Sequence, residues 1–98
     1  MEAADEAAGQ IPYPTNLPNP LPFFVYRSNM GNLPVYHDTR AGGSKQVTIV
    51  RKFSGDMKGL GRAVEELCRA PVHLFHGRIE VKGHHAKRIK GWLEHLGF

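Results

Sequence analysis

Six of the seven prolines in this chain fall between positions 11 and 34, and five of them sit in one run, "IPYPTNLPNPLP" (11–22). Each proline fixes its own φ and drives the preceding residue away from helical backbone. The run is therefore predicted to be an extended arm without internal hydrogen bonds. Tyr13, Leu17 and Leu21 give it apolar points that can rest on a neighbour. The ten residues before it, "MEAADEAAGQ", offer no strongly apolar side chain beyond Met1. The expected division is an N-terminal arm over residues 1–22 and one domain over residues 23–98. A packed unit drawn from so short a chain should lean on a partner for part of its stability.

Charge separates along the same line. Residues 1–44 hold two basic and four acidic side chains, whereas residues 45–98 hold eleven basic and five acidic ones. A basic half-domain suits a phosphate backbone, because each cation placed at a phosphate releases a counterion. The single cysteine, Cys68, rules out an internal disulfide. Its place in a helical apolar stripe marks it as a small buried hydrophobe, compatible with a reducing compartment. No apolar run approaches the roughly 20 residues of a membrane span. The acidic, Ala-rich start lacks the features of a secretory signal or an organelle transit peptide.

Past the arm, "FFVYR" (23–27) predicts a short strand and "LPVYHD" (33–38) a second extended piece that Pro34 confines to an edge or a strand start. "KQVTIVRKF" (45–53) is the strongest strand signal. At "SGD" the period changes: Asp56 can cap a helix, and Met57, Leu60, Val64, Leu67 and Cys68 recur at helical spacing. Gly59 and Gly61 should make its onset ragged. Arg62 with Glu66, and Glu65 with Arg69, stand four apart as ion-pair candidates. "VHLFHG" (72–77) reads as a short strand or strand-turn. "RIEVKG" (78–83) alternates, with Ile79 and Val81 inward and Arg78, Glu80 and Lys82 on a charged open face. From His84 the period is helical again, with Ile89, Trp92, Leu93 and Leu96 on the stripe and Lys87, Arg88, Lys90 and Glu94 off it. The expected class is α+β: a small mixed or antiparallel sheet with two helices on one face.

The histidines raise the question of a metal. Structural zinc sites take four ligands, usually with paired cysteines, and this chain has one. His84 and His85 are adjacent, so on a helix they diverge by about 100°. They are better placed at a helix N-terminus, where free N–H groups attract anions. A Cys68–His nucleophile pair is disfavoured by the apolar register of Cys68 and the lack of a Gly-rich oxyanion loop. "GGSK" (42–45) lacks the spacing of a phosphate loop. Trp92 belongs to the core stripe; Tyr13, Tyr26 and Tyr36 are better placed to stack on a base. No metal, cofactor, catalytic residue or small-molecule substrate is expected. The candidate RNA-binding residues are Arg27, Arg40, Lys45, Arg51, Lys52, Arg78, Lys82, His84, His85, Lys87, Arg88 and Lys90.

Five pieces recur in a fixed order: "PFFVYR" (22–27), "NLPVY" (32–36), "TIVRK" (48–52) with "GD" (55–56), "IEVKG" (79–83) and "GF" (97–98). None is specific alone. As an ordered set, over about residues 21–98, they resemble the mitochondrial large ribosomal subunit protein forty-nine family. The resemblance implies a fold similar to translation initiation factor one and a non-catalytic place in the large subunit of the mitochondrial ribosome, in the matrix. The partners it implies are large-subunit rRNA and neighbouring ribosomal proteins. Two departures stand out: a short segment over residues 70–77, where a family hairpin is trimmed, and a start unlike a cleavable presequence. Two other readings compete: a dissociable, initiation-factor-like RNA-binding translation factor, and a small enzyme using the histidines. The proline arm favours permanent residence, since an arm gains nothing without a surface to lie on.

Overall fold

The computed structural model describes residues 13–14, 17–18 and 20–98; the rest of the predicted arm lies outside the described residues. The elements are β1 (Phe23–Val25), β2 (Val35–Arg40), a 3₁₀ turn (Ala41–Gly43), β3 (Lys45–Val50), β4 (Phe53–Gly55), α1 (Met57–Cys68), β5 (Val72–Phe75), β6 (Arg78–Lys82) and α2 (Ala86–His95). This is the expected α+β class, but the strands form two antiparallel sheets rather than one. The larger has the order β2-β3-β6-β5, and β1 pairs with β4 in a separate ribbon.

The second sheet exists because the long strand predicted over residues 45–53 is broken. Lys52 adopts φ 51°, in the left-handed region, which costs an ordinary residue about 1–2 kcal/mol. The kink turns Phe53 out of the main sheet and into register with Val25. Partial recompense comes from a main-chain bond, Tyr26 N–H to the Lys52 carbonyl, at 2.8 Å. Gly55 closes the ribbon with φ 91°, where a Cβ would collide with the Pro22 carbonyl oxygen. Only glycine meets both demands.

One face of the main sheet is the core face. Val35 lies opposite Val50, and Val50 opposite Ile79, so the three share a side. Leu60, Val64 and Leu67 of α1 and Ile89, Trp92 and Leu93 of α2 are wholly buried in the same cluster as these sheet residues. The α1 onset is not ragged. Asp56 is the N-cap, and its side chain accepts from the Gly59 N–H at 3.1 Å, so the cap offsets the low propensity of the glycines. Gly61 leaves room for Leu74, which would press against a Cβ at that site. Neither predicted i,i+4 pair on α1 closes to an ion pair among the described residues. Of the arm, Tyr13, Leu17 and Leu21 are half-buried against the chain's own core.

Candidate nucleic-acid interface

The twelve basic and histidine candidates divide by what their side chains already hold. The first group is tied up in the fold. Arg40 grips Glu80 with two parallel bonds, each of 2.9 Å, and its Nε reaches Asp38 at 3.2 Å. Arg78 donates to the same Glu80 carboxylate at 2.8 Å and lies 4.4 Å above the Phe75 ring. Register places Glu80 opposite Ile49, and Ile49 opposite Tyr36, on the sheet face away from the helices. The charged open face expected from the alternation is thus centred on a carboxylate that is only 5% exposed. Two arginines and two carboxylates cancel there, so the middle of this face presents little net charge to a phosphate.

Hydrogen bonds from Arg40, and after them those from Arg78, draw the Glu80 carboxyl from its usual 4.5 to about 2, against the opposing effect of its burial. A carboxyl depressed by folding stabilises the native state above its unfolded value and loses that contribution as pH falls toward the folded one. Glu80→Gln is therefore expected to lower the urea midpoint at neutral pH, with the gap from the parent closing between pH 4.5 and about 2. A gap that stays constant through that window would contradict the network.

Arg27 is also committed. Its Nε donates to the Phe98 main-chain oxygen at 3.1 Å, a second nitrogen donates to the Gly31 carbonyl, and Glu94 lies at 3.8 Å. It fastens the loop after β1 to the end of the chain. Arg88 departs most from expectation. Its spacing puts it off the apolar stripe of the last helix, yet it is only 9% exposed. Its Nε faces the Leu67 carbonyl at 3.4 Å and its guanidinium lies 4.9 Å over Tyr13. The long stem packs while the planar head finds a carbonyl and a ring. Tyr13, one of the three tyrosines expected to be placed for stacking on a base, is half-buried beneath it and 5.2 Å from His95.

The histidine pair does not open the helix. α2 begins at Ala86, with His85 at the N-cap and His84 before it. The His85 N–H donates to Thr48 Oγ1 at 2.8 Å, Thr48 donates to the Gly83 carbonyl at 2.8 Å, and His85 Nε2 donates to the Lys82 carbonyl at 3.1 Å. Thr48, fully buried on the core face of β3, gives this corner its hub. His84 turns instead to His37, Nδ1 to Nδ1 at 2.7 Å, so one ring donates and the other accepts. Among the described residues no three metal-ligating side chains come together.

The remaining candidates, Lys45, Arg51, Lys52, Lys82, Lys87 and Lys90, are exposed. None makes a side-chain ion pair or hydrogen bond among the described residues. They fall at the rim of the main sheet, at the β3–β4 kink and on the outer side of α2. Exposed Lys58 and Arg62 on α1, and Arg69 at its C-cap, extend the basic surface beyond the predicted set; their spacing opposite the apolar stripe was the available signal. Phe24, 51% exposed beside Tyr26, was also missed, although alternation along "FFVY" puts both on one side.

A small two-layer α+β domain, closed by internal ion pairs and rimmed by uncommitted cations, is the frame of a basic-surfaced binding or structural protein. Over residues 21–98 the sequence matches the family described as mitochondrial large subunit ribosomal protein, and the chain belongs to that family. It is 34% identical over 95 residues to the large ribosomal subunit protein mL49 of Neurospora crassa, covering 92% of this chain and 58% of that protein. It is 35% identical over 83 residues to the large ribosomal subunit protein mL49 of Schizosaccharomyces pombe, covering 80% of this chain and 79% of the relative. The chain thus spans little more than half the length of the first of these relatives. Among the described residues no helix is long and apolar enough to cross a membrane.

Proposed function

We propose that this chain is a structural constituent of the large subunit of the mitochondrial ribosome, resident in the mitochondrion, holding rRNA and neighbouring ribosomal proteins and doing no catalysis. Family membership across residues 21–98 is the observation that carries the reading. The uncommitted cations at the sheet rim, the β3–β4 kink and α2 meet the rRNA backbone, and phosphate contacts of this kind set position and affinity rather than sequence choice. Residues 23–98 form the anchored domain, and residues 1–22 form an arm. Tyr13, half-buried beneath Arg88, sets one point of the arm on α2, and Leu17 packs against the same core.

Sedimentation of mitochondrial extract through a sucrose gradient in high salt tests the assignment. A structural constituent stays with the large subunit. Release to the top of the gradient would favour a dissociable translation factor.

A further inference from the structure

The β1–β4 ribbon carries an aromatic pair that the core does not enclose. Phe23 and Val25 point into the core and are buried, while Phe24 and Tyr26 point outward and remain 51% and 48% exposed. Their ring centroids are 4.8 Å apart. Both rings are held. The Tyr26 hydroxyl meets Ser54 Oγ on the partner strand at 2.9 Å, and Phe98 packs edge-on against Phe24 at 5.2 Å. Large apolar side chains fixed in the open reduce the ordering cost of a later contact.

The charge around the pair is cationic. Lys52 sits directly across from Tyr26, joined to it by the main-chain bond of 2.8 Å. Arg51 precedes it, and both side chains are exposed and uncommitted among the described residues. Asp56, the acid nearest in sequence, faces the first turn of α1 as its cap. Glu94, which reaches this end of the molecule, is matched by Arg27 at 3.8 Å. A fixed pair of ring faces beside free cations fits a strand with exposed bases and a phosphate backbone. Duplex RNA keeps its base faces stacked and would offer the pair only phosphates, riboses and base edges.

We propose that Phe24 and Tyr26 form a stacking platform for an unpaired segment of RNA, with Arg51 and Lys52 on its phosphates. The proposal rests on the RNA-binding reading above and adds the strandedness of the RNA and the residues that read it.

The test uses the full chain with a labelled single-stranded RNA oligonucleotide and a duplex of the same sequence, titrated over a range of salt. Phe24→Leu with Tyr26→Leu keeps the apolar surface and removes the ring faces. Affinity for the single strand should fall by roughly 5- to 150-fold for each stacked base lost, with the salt slope and the duplex affinity unchanged. Tyr26→Phe, which keeps the ring, should bind like the parent, so loss of the Ser54 contact is separated from loss of stacking. Arg51→Gln with Lys52→Gln should make the single-strand slope shallower by about 0.7 for each phosphate released. Leucine variants that bind the single strand as well as the parent overturn the platform and leave the pair to a neighbouring protein, which tolerates leucine. In that outcome a normal salt slope for the parent leaves the phosphate reading intact. A parent that binds neither RNA overturns both.

Discussion

Trp92→Ala is expected to cost about 3–5 kcal/mol. A small domain has only about 5–15 kcal/mol in total, so the change should remove a large share of its stability. Trp92 is 0% exposed and lies in the one cluster that joins both helices to the sheet and to β1. Its ring faces Phe23 at a centroid distance of 6.2 Å. Truncation therefore opens a cavity where the helices, the sheet and β1 meet, and none can close it without leaving the others. Trp92→Phe separates volume from chemistry. It keeps a ring against Phe23 and removes an indole N–H that has no hydrogen-bond partner among the described residues. A buried unpaired donor costs about 1–3 kcal/mol, so its removal should offset part of the smaller cavity. Urea unfolding followed by circular dichroism should rank parent, Trp92→Phe and Trp92→Ala in falling order. A Trp92→Ala loss within about 0.5 kcal/mol, the range of ordinary surface changes, would contradict the packing.

The same residue shows what periodicity can and cannot reveal. Ile89, Trp92 and Leu93 were legible because helical spacing and burial follow one rule. Asp56 was legible because capping is local. The break at Lys52 was not, since nothing in "VRKF" signals a left-handed residue; the second sheet that requires it is a tertiary demand. The site failed in a similar way. Sequence counts Arg40 and Arg88 as cations, but Glu80 lies 40 residues from Arg40, and Leu67 lies 21 residues from Arg88. Only the fold brings those partners together. A count of basic residues therefore overstates the charge offered to a partner, and the true interface set is the one left after internal pairing.

That distinction makes the last prediction. Lys87, Arg88 and Lys90 are near neighbours on α2, yet the lysines are exposed and Arg88 is buried. Lys87→Gln with Lys90→Gln is expected to leave the unfolding midpoint unchanged and to weaken RNA binding. The slope of log affinity against log salt should become shallower by about 1.4–1.8 if each lysine serves one phosphate. Arg88→Gln should do the reverse. It removes a guanidinium packed on Tyr13 and facing the Leu67 carbonyl, and stranding such buried groups costs about 1–3 kcal/mol. The midpoint should fall while the slope holds. The comparison also bears on the arm, because Tyr13 loses the cation above its ring, and proteolysis at the arm should quicken in Arg88→Gln alone. If Arg88→Gln instead changes the slope and the lysine pair does not, the phosphate-facing side of α2 has been assigned to the wrong residues. If neither changes it, the helix faces protein rather than RNA.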